Sequence, residues 1–440
     1  MRTLLIFAIP IILTNLVQQL YSMVDLIVIG QFVGSVGTVG VNTGGEISDL
    51  ITPVAMGFST AGQIYIAQLS GAKEDKKIKE TIGTLLSFMF IVSAILMVAA
   101  ILFSRQILHV LNCPEEAMDQ ATAYMIITAL GFPSIFGYNA VCGILRGMGE
   151  SKRPLQFILV AAVINIVLDV ALVVVIPLEA AGTAIATALS QVGAFGASFF
   201  FMWKNREKFD FELKLSFFKM NPHILKILIK LGIPQVVRSL LVRFSMLWVN
   251  ASANAYGMIV SETNSVGNKL QKFLEVFISG VDTASGAMVG QNLGAKKTDR
   301  AGKVTLNTLV AALACAAAIS ALCVLLPEQI FGIFTKNEEV KQLGAVFLRI
   351  MVVHFFVSAI VGSFQAMVTG CGFVSLGFAI GVLDGVVCKI GLSLLFVNVF
   401  HMGCLGLFWG VACSRILPAI LCASYFFSGK WRTRQLLTEK

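Results

Sequence analysis

Apolar residues along this chain neither alternate nor mark out a single helical face. They run in long blocks broken by short polar and basic segments. The blocks lie near 4–29, 40–69, 82–104, 118–143, 155–176 and 180–203, then near 225–251, 260–290, 302–326, 340–368, 375–399 and 403–427. A helix rises 1.5 Å per residue, so about 20 apolar residues cross a hydrocarbon core of roughly 30 Å. Each block is therefore predicted to be a membrane-spanning helix, twelve in all, with spans 2 and 8 the most polar.

The two sets of six repeat one another. QLSGAK at 68–73 returns as QNLGAK at 291–296, Glu115-Glu116 as Glu338-Glu339, and Gly147 and Gly149 as Gly370 and Gly372, each displaced by 223. Ile9-Pro10 returns as Ile233-Pro234, and Gly182, Ala188 and Ser190 as Gly406, Ala412 and Ser414, displaced by 224. Six is even, so both halves begin on the same side, and the repeat is parallel about an axis along the membrane normal. The expected organisation is an N-terminal bundle at 1–203, a cytoplasmic linker at 204–224, and a C-terminal bundle at 225–440 ending in a short basic tail.

Composition agrees with a membrane class. Of 440 residues, 57% are hydrophobic and only 13% charged, and the mean hydropathy is +0.85, whereas soluble domains carry about 25% charged residues. The net charge of +9 comes from short clusters between apolar blocks rather than a basic arm, which argues against nucleic-acid binding. With both termini cytoplasmic, the inside segments hold most of the 33 Lys and Arg, and the outside loops only Arg105, Lys336 and Lys341. That asymmetry predicts N-in, C-in insertion, here in the plasma membrane. The first block runs past Asn15 and Gln18 and is expected to be a span, not a cleaved signal.

Catalytic chemistry finds no foothold. The nine Cys form no CxxC pair, and the four His are isolated along the sequence, with no HExxH pattern. No Walker A motif, nucleophile with a base, carbonyl filter or charge ring is present. The expectation is a transporter, neither an enzyme nor a channel, with no cofactor beyond a coupling ion.

Polar residues inside spans mark cavities or pathways, because a central charge costs roughly 2.5–3.5 kcal/mol to insert. In span 1, Asn15, Gln18, Ser22 and Asp25 recur at steps of three and four on one face beyond Pro10. Span 5 carries Asn165 and Asp169 four apart, and span 6 carries Thr183 and Thr187. Asp25, Asn165, Asp169 and Thr187 make an oxygen set suited to Na⁺ or to a shared proton. Displacement by 224 lands instead on Val249, Lys389, Ser393 and Val411, so one coupling site is expected, in the N-terminal half. Pro10 removes a backbone hydrogen bond and is expected to let span 1 bend.

Charges on spans 2 and 8 suggest a gate. Displacement by 223 maps Glu46 onto Lys269 and Asp49 onto Lys272, so equivalent positions carry opposite charges, and these four are expected to pair when an outer mouth closes. A local pair of Lys272 with Glu275 is the competing arrangement. Asn15, Gln18, Asn42, Arg243 and Asn250 are candidate cleft-lining residues.

The opening IPIILTNLVQQLYSMVDLIVIGQFVG, IAQLSGAKED, LRGMGESKRP, NIVLD, GTAIATALSQ and VGQNLGAKK, in that order, resemble the multidrug and toxic compound extrusion (MATE) transporters over the whole chain. The resemblance implies an all-α membrane fold of two six-helix bundles around a central cleft. It also implies export of small organic, mostly cationic or amphipathic compounds in exchange for Na⁺ or H⁺. The chain is most similar to the DinF-like branch, whose acidic site matches Asp25, Asn165, Asp169 and Thr187, with Asn139 as a network asparagine and Pro10 as a proline linked to bending. The NorM-like branch places acids in spans 7 and 10; here span 7 carries Arg238 and Arg243, and span 10 has no acid in its membrane part. The expected partners are the substrate and the bilayer, with no nucleic acid, and the protein is expected to be a monomer. A lipid or lipid-linked-sugar flippase of related fold is the alternative, kept open by the basic spans 7 and 8.

Overall fold

The computed structural model describes residues 1–209 and 215–439, leaving aside the side chains of residues 22–27, 34–35, 208–209, 215–216 and 439. Among the described residues there are helices and no strand. Every expected span is found. Span 1 is Arg2–Phe32, span 2 Gly34–Ala72 and span 3 Asp75–Leu102; span 6 is Glu179–Lys204, span 7 Pro222–Asn254, span 8 Met258–Gly294, span 9 Thr298–Leu325 and span 10 Glu338–Gly370.

Nine of the described helices are long and apolar enough to cross a membrane. Span 4 joins them as a bent pair, Glu115–Leu130 and Phe132–Gly147, with a 42° change of direction. Its cause is local, since Pro133 sits in the first turn of the second piece, where a missing N–H is tolerated but the preceding helix cannot continue. Spans 7 and 8 have the length but not the apolarity. Span 7 carries Lys226, Lys230, Arg238 and Arg243, and span 8 carries Glu262, Lys269, Lys272, Glu275 and Asp282. Their partners are therefore the key to the fold.

The repeat extends to the backbone. Lys73 and Lys296, 223 apart, both turn left-handed where spans 2 and 8 end, with φ of 59° and 58°. Gly149 and Gly372 follow at the same displacement, and Glu179 and Gly403 at 224, all with positive φ. At Glu179 and the two lysines a side chain tolerates what glycine adopts freely.

Spans 5 and 11 carry a matched irregularity. Span 5 is α-helical over Lys152–Asp169 and then widens into a π-helix at Val170–Val175. Span 11 runs Val374–Val382, a π-helix at Leu383–Val387, then Cys388–Leu394 and a second π-helix at Leu395–Val399. The wide turn closes with Ile176 N–H donating to Ala171 O at 3.0 Å, and its counterpart Phe400 N–H donates to Leu395 O at 3.2 Å. Gly182 and Gly406 then pass so close to these turns that a Cβ would meet Leu172 O and Val397 N, each at 2.8 Å or less. Span 12 is likewise broken, into Cys404–Cys413 and Ile416–Phe427, with Arg415 at the break.

The chain forms two compact units, residues 13–232 and residues 1–12 with 233–440. These limits differ from the expected 1–203 and 225–440, and packing explains both shifts. Leu4, Ala8 and Ile11 of span 1 are buried with Val281, Ala284 and Ala311 of spans 8 and 9. The end of the linker is strapped to span 3, where Asn221 N–H donates to Thr84 Oγ1 at 3.1 Å, Asn221 Nδ2 to Glu80 Oε2 at 2.8 Å, and Ser87 Oγ to Phe218 O at 2.7 Å. Phe217 O rests on Gly83, leaving no room for a Cβ. Asn221 also caps span 7, its Oδ1 accepting from His223 N–H at 3.0 Å. Asn221→Ala removes cap and strap together and should cost roughly 0.5–2 kcal/mol of local stability. Faster proteolysis between 204 and 222 would report it.

Candidate functional site

In the unit of residues 13–232, Asn165 and Asp169 stand one turn apart on span 5, directly before the wide turn that starts at Val170. Asn165 is 1% exposed and Asp169 0% exposed. The amide of Asn165 has no hydrogen-bond partner on either atom among the described residues. A buried amide in that condition costs about 1–3 kcal/mol, so its retention points to a ligand. The carboxylate beside it and the free Oδ1 supply hard oxygen donors of the kind a small alkali cation or a proton takes. The pairing of residue types therefore fits the expected ion.

The remaining expected ligands are less tightly placed. Thr187 is half-buried, and its carbonyl accepts from Ser190 Oγ at 2.7 Å. Asn139 donates from Nδ2 to Ile135 O at 2.8 Å, while its carbonyl accepts from Ser59 Oγ at 2.5 Å, fixing span 4 to span 2. The side chains of Ser22 and Asp25 lie outside the described residues. Asn15 is half-buried, whereas Gln18 and Asn42 are exposed. Among the described residues no group of three or more His, Cys, Asp or Glu forms a metal cluster.

Pro10 lies inside the continuous helix of span 1, and two residues later the chain passes from one unit to the other. The missing N–H removes one backbone hydrogen bond from span 1 at this point. Pro10→Ala restores a donor and should slow turnover severalfold at unchanged expression. Wild-type turnover would make the proline inert.

The other unit holds a buried ionic network that sequence reasoning did not assemble. Arg415, at the break of span 12, donates from Nη1 to Glu275 Oε1 of span 8 at 2.8 Å and to Ser358 Oγ of span 10 at 2.8 Å. Its Nε donates to Asp384 Oδ1 of span 11 at 3.3 Å, and Arg238 Nη2 of span 7 lies 3.6 Å from Asp384 Oδ2. His354, isolated in the sequence and 1% exposed, brings Nε2 to 2.7 Å from Glu275 Oε1 and 2.9 Å from the Gln271 amide. Five spans thus share two carboxylates. From spans 7 and 8 this network takes up one charge each, Arg238 and Glu275.

Among the described residues Glu275 pairs with Arg415 and His354. Lys269 and Lys272 are exposed, while Glu46 and Asp49 belong to the other unit. Asn250, a cleft-lining candidate, is tied within its own unit, its Oδ1 accepting from Asn264 Nδ2 at 2.7 Å and Asn268 Nδ2 at 2.9 Å. Arg243 is half-buried on span 7.

Comparison with known proteins turns on the repeat. The MatE family profile matches residues 10–171 and again residues 234–395, displaced by 224 at both ends. The chain belongs to the MatE family. Membership makes it a membrane transporter and not an enzyme. Among similar MatE proteins, one named probable multidrug resistance protein YoeA, from Bacillus subtilis (strain 168), is 27% identical over 304 residues, which are 68% of this chain and 66% of that protein. The multidrug export protein MepA of Staphylococcus saprophyticus is 24% identical over 95% of this chain and 90% of its own. A crystal structure of a MATE protein in a bent conformation superposes with a TM-score of 0.90 at 21% identity, covering 97% of this chain and 94% of that one. The fold is thus the two-lobed MATE fold. Its C-terminal MatE repeat holds Arg238, Glu275, His354 and Asp384, so four members of the network lie within the matched segment, and Arg415 lies beyond it.

Proposed function

We propose that this MatE protein is a plasma-membrane multidrug exporter that exchanges small organic, cationic or amphipathic compounds for Na⁺ or H⁺ by alternating access. The coupling ion is assigned to Asp169 and Asn165, with Asp25 and Thr187 completing its shell. One observation carries the assignment, the buried Asn165 amide with no hydrogen-bond partner among the described residues one turn from a fully buried carboxylate. When bound, the ion supplies positive charge that offsets Asp169. The residues around it position oxygen atoms and exclude water, and emptying the site leaves a charged interior that favours the substrate-binding state. The similar proteins named for multidrug resistance and export support the substrate class. Basic residues in cytoplasmic segments support N-in, C-in insertion.

Uptake of a fluorescent cationic dye into inverted membrane vesicles tests this directly. A Na⁺ gradient and a pH gradient are imposed separately, and dye movement is recorded. Movement driven by one gradient and abolished by dissipating it is the expected result. Transport indifferent to both gradients would overturn the antiport assignment.

A further inference from the structure

The repeat sets two places in the molecule side by side. Displacement by 224 carries Asn165 onto Lys389 and Asp169 onto Ser393. The backbone honours this correspondence, since each pair stands one turn apart on its helix directly before the matched wide turns at Val170–Val175 and Leu395–Val399. The first pair presents an amide and a carboxylate. The second presents an ammonium and a hydroxyl.

Lys389 is 3% exposed and Ser393 is fully buried. The Ser393 hydroxyl has no hydrogen-bond partner, and Lys389 makes no hydrogen bond or ion pair, among the described residues. Its charged neighbours are Asp384, Arg415, Glu275 and Arg238. The two acids are already taken, Asp384 by Arg415 and Arg238, and Glu275 by Arg415 and His354. Asp282, two turns along span 8 from Glu275, lies against Gly362 and interacts electrostatically with Arg415 and Arg238, and among the described residues it forms no ion pair with Lys389. Arg238, Arg415 and Lys389 thus face Glu275, Asp384 and Asp282, and Lys389 is the cation of the three that no carboxylate reaches at ion-pair distance among the described residues. A buried charge without a counter-ion is strongly unfavourable, whereas an ammonium and a hydroxyl on one face are the donors an anion needs. The side chains of Arg238, Arg415 and Glu275 keep roughly a fifth of their surface exposed, which gives a wet approach.

We infer that Lys389 and Ser393 form an anion subsite in the second unit, the polarity-reversed counterpart of the Asn165 and Asp169 pair. Its ligand is a single anionic group, either a small inorganic anion or the phosphate or carboxylate of an amphiphilic substrate. The subsite stands apart from the identity of the coupling ion.

Thermal unfolding of the purified full chain in neutral detergent tests it, with a bulky sulfonate buffer as the background anion and chloride or octyl phosphate titrated in. Both probes should raise the melting temperature saturably if the ligand is a small anion, and octyl phosphate alone if it is an amphiphile's headgroup. Lys389→Gln and Ser393→Ala should each weaken the apparent affinity, the former about tenfold or more, as loss of a charge-assisted contact does. Lys389→Arg should retain a response, and Asp169→Asn should leave it intact, which separates this subsite from the cation assignment. No saturable response to either probe, or a response in Lys389→Gln equal to wild type, would overturn the inference.

Discussion

Asp169→Asn is expected to abolish ion-driven export while leaving the protein inserted and folded. Asparagine has nearly the same shape, so packing around span 5 is kept, and a neutral side chain at a position that is 0% exposed relieves burial cost rather than adding to it. What disappears is the charge on which the proposed coupling ion depends. Gradient-driven dye movement should fall to the level of vesicles lacking the protein, while the melting temperature holds or rises. Thr187→Val should act in the same direction but less, since Thr187 is half-buried and offers one neutral oxygen. Full coupled export by Asp169→Asn would remove the carboxylate from the ion site.

Arg415→Met should be the most destabilising single change in the second unit. Arg415 is the shared partner of Glu275 and Asp384, and its loss leaves two largely buried carboxylates with one long contact to Arg238 and one to His354. Breaking a buried pair from one side costs about 3–5 kcal/mol, because the surviving charge is not resolvated. A clear drop in melting temperature is expected. Neutralising the acids as well, with Glu275→Gln and Asp384→Asn, should recover most of it, since a polar but uncharged interior lacks the stranded charge. A single variant that melts with the wild type would show the network to be open to water.

How far the sequence carried depended on whether the relevant neighbours were close along the chain. Spans follow from apolar run length, and the repeat from short motifs at one displacement, so both were readable. Asn165 and Asp169 stand four apart on an apolar helix, and that spacing alone places them on one face. The network of Arg238, Glu275, His354, Asp384 and Arg415 has no such signature, because its members come from five spans with separations set by packing. A buried charge in each of spans 7, 8, 11 and 12 was the available signal, and requiring every such charge to find a partner would have grouped them. The division into compact units depends on contacts of the same kind. Leu4, Ala8 and Ile11 look like any lipid-facing stretch until spans 8 and 9 are set against them.

The wide turns after Asp169 and after Leu394 bear on how these two helices tolerate change in length. An α-helix advances about 100° per residue, so losing one residue ordinarily swings everything on one side of the loss around the axis. A π turn already holds one residue more than an α turn. Deleting a single valine within Val170–Val175 can therefore be absorbed as a return to α geometry, with Asn165 and Asp169 keeping their bearing on the helix. The same deletion between Leu155 and Ile164 has no slack to draw on and would rotate the start of the helix away from its neighbours. Each unit thus carries a spare residue at the end of its site-bearing helix, and in natural variants of this chain single-residue gaps should gather there rather than upstream.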